Sequence, residues 1–70
     1  MLTFEVVGDS ELEIHGDAKG LESLMRTLAR VLKAKEHEHL MTPSWGGNEL
    51  TENAQREGAR LINKVTIRIW

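Results

Sequence analysis

The 70-residue sequence contains no cysteine and no tyrosine, and it has only one phenylalanine and one proline. Without cysteine, the chain has neither disulfides nor a thiolate metal cluster to supplement its core. No apolar run approaches the roughly 20 residues that a membrane span requires. A chain of this length buries only about 60% of its unfolded surface. We therefore expect residues 1–70 to form a single small domain with a thin core.

The charges of the chain are segregated along the sequence, although the net charge is only −2. Residues 1–18 contain five acids and no Lys or Arg, residues 19–35 contain five bases and one acid, and residues 36–57 contain five acids and one base. No basic patch is interleaved with aromatic residues, which argues against nucleic-acid binding. Residues 1–9 carry Glu5 and Asp9 but no base, so they do not resemble a signal peptide. We expect a cytoplasmic protein without membrane association.

Residues 2–16 alternate apolar and polar side chains in two runs separated by Gly8, Asp9 and Ser10. This pattern predicts a β-hairpin. A three-residue loop pairs Val7 with Glu11 and leaves the apolar residues of both runs on one face. A two-residue loop would move the apolar residues of one run to the opposite face, because side chains alternate along a strand.

A helix is predicted after Asp17, whose carboxylate suits the N-cap position. Apolar residues follow at helical spacing and form one stripe: Leu21, Leu24, Met25, Leu28, Val31 and Leu32. The stripe is expected to pack against the apolar face of the hairpin.

A third strand is predicted from His37 to Thr42, before Pro43, which lacks an amide donor. Residues 43–60 are polar and contain glycine, and this composition predicts a long loop. Alternation returns from Leu61 to Trp70 and predicts a final strand. The order ββαββ indicates an α+β fold, a four-stranded and mostly antiparallel sheet with one helix packed on one face.

One helix covers only one side of a sheet, so the opposite face is the expected functional site. If Leu40 faces the helix, the neighbouring side chains of its strand join the open face. The candidate partner-binding residues are Glu5, Glu13, His37, His39, Met41, Trp45, Arg68 and Trp70.

Glu5 and Glu13 lie directly opposite each other in the predicted hairpin, which is unfavourable for two like charges. Arg68, Lys64, a histidinium or a bound cation would relieve the repulsion. The face also carries apolar side chains, so either the 43–60 loop folds over it with Trp45 as its plug, or another chain covers it.

A metal site is a further hypothesis for the same face. His37 and His39 are two residues apart on a strand and project to the same side, as two imidazole ligands would. Glu5, Glu13 or His15 could complete the site if the strand order brings them within reach. The alternative is a pair of polar histidines on a solvated strand, and we predict neither a metal nor any other cofactor.

Catalysis and phosphate binding have little support in the sequence. Ser10, Ser23 and Ser44 lie in no nucleophile elbow, and the thin core offers no pocket for an acid–base pair. The Trp45-Gly46-Gly47-Asn48 turn matches no nucleotide fingerprint. It is a tight turn anchored by Trp45, or it presents Trp45 to a partner.

Residues 37–51, HEHLMTPSWGGNELT, resemble the central motif of immunity protein 32, a small bacterial family of polymorphic toxin systems. The specific part runs from His37 to Gly47. The leading strand pair, the Leu-rich helix and the closing strand from Val65 to Trp70 also resemble the family, so the likeness covers nearly the whole chain.

The resemblance implies a non-enzymatic cytoplasmic protein that binds and neutralises a cognate toxin domain. The acidic blocks would suit a basic target such as a nuclease, because complementary charge speeds encounter. Two alternatives stay open. One is a small metal-binding protein that uses His37 and His39, and the other is a structural homodimer that buries the open face.

Overall fold

A computed structural model describes all 70 residues as one helix and five strands. The strands form two antiparallel sheets, with the orders β2-β1-β4 and β3-β5. The elements are β1 (Leu2–Val7), β2 (Glu11–Gly16), α1 (Ala18–Ala34), β3 (Glu38–Met41), β4 (Arg60–Leu61) and β5 (Lys64–Ile67), with a short 3-10 helix at Pro43–Trp45. The predicted α+β class is confirmed.

The β1–β2 hairpin has the predicted register, with Val7 opposite Glu11 and Phe4 opposite Ile14. Gly8 opens the three-residue turn with a φ of +64°. This is a left-handed conformation that glycine adopts without steric cost.

The predicted final strand is divided, and this division accounts for five strands in two sheets instead of four strands in one. The Ile62 amide donates to the Phe4 carbonyl of β1 at 2.8 Å. One residue later, the Asn63 carbonyl accepts from the Thr42 amide, next to β3, at 3.0 Å. The chain therefore changes its pairing partner between β4 and β5, from β1 to β3.

Helix α1 begins as predicted, because an Asp17 carboxylate oxygen accepts from the Gly20 amide at 2.8 Å. It ends at Lys35, which has a left-handed φ of 57° and whose amide donates to the Val31 carbonyl. The helix is too short and too polar to cross a membrane.

The core is as thin as the length predicts, with five buried hydrophobic residues: Leu2, Phe4, Val31, Leu40 and Leu50. Leu24, Ile62, Val65 and Ile67 pack around the cluster that contains Leu40 and Leu50. Leu40 faces the core, as assumed for the phase of the third strand. Leu50 is the one core residue that lies in the polar segment predicted as a loop.

The prediction that the whole helical stripe packs against the hairpin is wrong. Only Leu24 and Val31 of the stripe are buried or half-buried, and Thr27 and Gly20 complete the inward side. The other four positions are exposed, as are the two apolar side chains of β2. We call this surface the apolar flank: Leu12, Ile14, Leu21, Met25, Leu28 and Leu32. Helix α1 approaches β2 at the end of that strand, where Leu21 lies against Gly16, and it leaves the side chains of Leu12 and Ile14 uncovered.

Candidate functional site

The β3–β5 sheet has a face directed away from the core, and four of the eight predicted binding residues lie on it. In the observed register, His39 is opposite Thr66 and Met41 is opposite Lys64, whereas Leu40 and Val65 point to the core. Alternation places His37 and Arg68 on the same outer face. We call this surface the β3–β5 face: His37, His39, Met41, Lys64, Thr66 and Arg68.

The two histidines of this face are in direct contact. Their ring centroids are 4.9 Å apart in an edge-to-face arrangement. His39 Nδ1 shares a hydrogen bond of 2.9 Å with the Thr66 hydroxyl, which fixes the ring across the strand pair. Burial lowers the pKa of His39, and the positive charges of Lys64, His37 and Arg68 lower it further. His39 is therefore a neutral hydrogen-bonding group at pH 7.

An open cleft of about 490 Å³ lies at the end of this face, where α1 leads into β3 and the chain ends. Its lining residues are Lys35, Glu36, His37, Arg68, Ile69 and Trp70. Trp70 is fully exposed. The structure thus brings together three predicted binding residues, His37, Arg68 and Trp70, and places His39 beside them. The combination of cationic groups and an exposed indole suits protein recognition, because Arg and Trp are favoured at binding hot spots.

Trp45 lies in the 3-10 helix that follows β3, and its side chain is 57% exposed. Trp45 therefore does not anchor the 43–60 loop over the sheet, which was one of the two alternatives that the sequence left open. Glu52 holds this helix in place, because its carboxylate accepts from the Ser44 amide at 2.6 Å and from the Ser44 hydroxyl at 2.7 Å. Gly46 follows with a left-handed φ of 89°.

The remaining residues of the motif at 37–51 build the turn and anchor it to the core. The Thr42 hydroxyl donates to Asn63 Oδ1 at 2.8 Å, and the Thr51 amide donates to the Leu2 carbonyl at 2.9 Å. A Cβ atom at Gly47 would lie 2.5 Å from the Met41 carbonyl oxygen. Glu49 accepts from the Met41 amide at 3.0 Å. Much of the motif is therefore scaffold, and it holds His37, His39 and Trp45 at the surface.

Glu5 does not belong to an open binding face, so its prediction as a partner contact is corrected. Its side chain is completely buried. Residues 51–59, which we call the covering loop, lie over this part of β1. Glu5 accepts from the Gln55 amide at 2.8 Å, from the Arg56 amide at 2.9 Å and from the Thr3 hydroxyl at 2.5 Å. The loop thus seals the β1 part of the face and leaves the β3–β5 face free.

The Glu5 carboxyl is held in its charged form by these donors. Burial alone would raise its pKa, but the hydrogen bonds from Thr3, Gln55 and Arg56 lower the pKa to about 2. A carboxylate that accepts several such bonds commonly has a strongly depressed pKa.

Glu13 is directly opposite Glu5, as predicted, and the structure shows how the repulsion is relieved. The Arg56 guanidinium donates to Glu13 Oε2 at 2.7 Å, and His15 Nε2 donates to Glu13 Oε1 at 2.8 Å. Neither Arg68 nor Lys64 takes part. Arg56 is the residue that the sequence reasoning missed, since its amide binds one glutamate and its side chain binds the other.

The metal hypothesis requires side chains that the fold keeps apart. His37 and His39 belong to the β3–β5 face, whereas His15 and Glu13 lie on β2 in the other sheet and are bonded to each other. Glu5 is enclosed by amide donors. No group of three His, Cys, Asp or Glu side chains is placed to hold a metal ion.

The apolar flank was also missed by the sequence reasoning. The helical stripe joins the inward positions Leu24 and Val31 to a second row at Leu21, Met25, Leu28 and Leu32. A stripe of this width is usual for a helix that packs on a core, so the sequence pattern does not distinguish the exposed row from the buried one.

Comparison with known proteins supports the resemblance seen in the motif. No curated protein and no solved structure matches the chain. The family model described as Immunity protein 32 matches residues 11–64, which is 54 of the 70 residues. The matched part includes β2, α1, β3 and the complete motif at 37–51. The chain therefore belongs to the Immunity protein 32 family.

Proposed function

We propose that this protein binds a cognate toxin domain through the β3–β5 face and its cleft and thereby neutralises the toxin. Its membership of the Immunity protein 32 family supports a non-enzymatic protective role. In this proposal the protein acts in the cytoplasm of the cell that produces the toxin, within a polymorphic toxin system.

The observation that carries the proposal is the exposed cluster of His37, Arg68 and Trp70 around one cleft. Trp70 offers a large apolar ring, and Arg68 offers a planar donor group for carboxylates. The motif that identifies the family leads directly into this cluster through His37 and His39.

The charge of the cleft favours an acidic surface on the toxin. Lys35 and Arg68 are basic residues, and Glu36 is the one acidic side chain among the lining residues. This reverses the sequence expectation of a basic target, because the acidic blocks lie elsewhere. Glu5 is buried, Glu13 is paired with Arg56, and Glu49 and Glu52 accept hydrogen bonds from residues of the motif.

Binding to the product of the adjacent toxin gene tests the proposal directly. Arg68→Glu and Trp70→Ala should each weaken the affinity by about 30-fold, as loss of a hot-spot side chain does. Calorimetry or surface plasmon resonance with the purified toxin domain would measure this. Protection of cells that express the toxin should fall in parallel.

Arg26→Glu is the matched control, since it makes the same charge change on the outer side of α1, where Arg26 is exposed. It should leave the affinity unchanged within about threefold, because rim and remote charges contribute little to complex stability. No binding by the wild-type protein at low salt and micromolar concentration would refute the function. Full affinity in both cleft variants would refute the location of the site.

A further inference from the structure

We infer that the protein forms a two-fold symmetric homodimer through the apolar flank, with the β2 edges of the two copies side by side. This inference concerns a surface that the proposed toxin site does not use. It also differs from the dimer considered from the sequence, which would have buried the face opposite the helix.

The first observation is the size of the uncovered apolar surface. The six side chains of the flank are between 43% and 68% exposed. Together they present roughly 500 Å² of apolar surface, which is in the size range of the largest apolar patch on a typical monomer, and such patches are often functional. Two copies joined at this surface bury roughly 1,000 Å² of it, which reaches the lower size limit of specific interfaces. Contacts between the strand edges add to this area.

The second observation is that β2 is an edge strand. In the order β2-β1-β4, one side of β2 pairs with β1 and the other side has no neighbour. Its free amides and carbonyls are a template for another strand. The same strand contributes Leu12 and Ile14 to the flank, so one partner can satisfy the backbone edge and the apolar side chains together.

The third observation identifies the partner as a second copy. Glu22 and Lys33 lie eleven residues apart, which is three helical turns, so both border the same side of the flank. A two-fold axis through the middle of the flank sets the two α1 helices antiparallel. Glu22 of each copy then faces Lys33 of the other, so the arrangement is self-complementary in charge. Within one helix these side chains are about 16 Å apart along the axis and do not meet.

The dimer would also account for the small core of the monomer. Five buried hydrophobic residues are few for 70 residues, and small domains commonly supplement such a core by oligomerisation. The β3–β5 face and its cleft share no residue with the flank, so the dimer interface is formed without the side chains of the proposed toxin site.

Sedimentation analysis over a concentration series tests the inference. The wild-type protein should have about twice the monomer mass of 7.9 kDa. Met25→Glu should sediment as a monomer, because dimerisation would bury the new carboxylate in the interface without a partner. Trp45→Glu, which makes the same kind of change at a similarly exposed apolar residue outside the flank, should remain dimeric. Far-UV circular dichroism would verify that both variants are folded.

A charge exchange gives a second test that leaves the apolar residues intact. Glu22→Lys should raise the dimer dissociation constant by about fivefold or more, because it replaces two attractive pairs with two repulsive ones. Adding Lys33→Glu to the same chain should restore the wild-type value.

Three results would overturn the inference. These are a wild-type monomer at all concentrations, a dimeric Met25→Glu variant, or a double charge exchange that fails to restore association. A monomeric wild type in which Met25→Glu abolishes binding of the toxin domain would assign the flank to the toxin instead.

Discussion

Glu5 is the residue on which the position of the covering loop depends. It is completely buried, yet three donors surround its carboxylate, and two of them are backbone amides of the loop. A buried carboxylate is tolerated only when such donors replace water. Loss of the charge therefore removes the main attachment of residues 51–59 to β1.

The first prediction concerns the acid sensitivity that follows from this arrangement. The pKa of Glu5 is about 2 in the folded chain and about 4.3 in an unfolded one. Its contribution to the free energy of unfolding is therefore complete above about pH 4.3 and is lost as the pH falls towards 2. Glu5→Gln should lower the Tm by roughly 10 °C at pH 7. The difference from wild type should shrink as the pH approaches 2.

Thermal melts followed by circular dichroism at several pH values would measure both effects. Glu57→Gln is the control, because Glu57 is an exposed carboxylate of the same loop. It should change the Tm little at any pH. A Glu5→Gln deficit of equal size at pH 7 and pH 2 would contradict the assignment.

At the scale of elements, the C-terminus of α1 contains an unfavourable residue. Lys35 adopts the left-handed conformation that ends many helices, a position at which glycine is preferred. A side chain with a Cβ atom costs about 1 kcal/mol there. The same residue lines the cleft, so its side chain belongs to the proposed toxin site.

We predict that Lys35→Gly stabilises the fold by about 0.5–1 kcal/mol, since it removes this strain. Ala34→Gly is the matched control at the preceding position, which is still helical. It should destabilise the protein by about the same amount, because glycine is unfavourable inside a helix. Urea denaturation should show a higher free energy of unfolding for Lys35→Gly and a lower one for Ala34→Gly. A loss of stability in both variants would refute the interpretation of Lys35.

The elements that the sequence predicted correctly are those governed by local rules. The hairpin register follows from alternation and the three-residue turn, and the start of α1 follows from the side chain of Asp17. The covering loop depends instead on contacts between Glu5 and residues 50 and 51 positions later. The break between β4 and β5 depends on which strands lie on either side of Ile62 and Asn63. No local pattern encodes such contacts.

The sequence also predicted only a part of the candidate site. The sequence left the phase of β3 open, and the structure has the alternative in which Leu40 points to the core and His39 and Met41 point outward. Glu5 was assigned to the same face by alternation alone. Alternation gives the direction of a side chain, but it does not show whether another segment covers it.

At the scale of the whole molecule, one residue of the motif connects the two sheets. Leu50 is 1% exposed and packs in one cluster with Leu2 and Phe4 of β1 and with Leu40 of β3. Its amide donates to the Met41 carbonyl, and the next amide donates to the Leu2 carbonyl. The segment around Leu50 thus bridges β3 and β1.

Leu50→Ala should destabilise the protein by about 3 kcal/mol, because it opens a cavity in this small core. That is a large fraction of the 5–15 kcal/mol typical of folded domains. Trp45→Ala, which removes a larger but mostly exposed side chain, should cost less than about 1 kcal/mol. Chemical denaturation of both variants would give the comparison. Equal losses would argue against Leu50 as the link between the sheets.

The close approach of Gly47 to the Met41 backbone limits how relatives with this turn can diverge. A larger residue at that position would collide with the neighbouring strand, so the turn admits little variation there. His37, Arg68 and Trp70 at the cleft carry no such steric restriction. If relatives neutralise different toxins, their differences in specificity should accumulate around the cleft, while the turn stays the same.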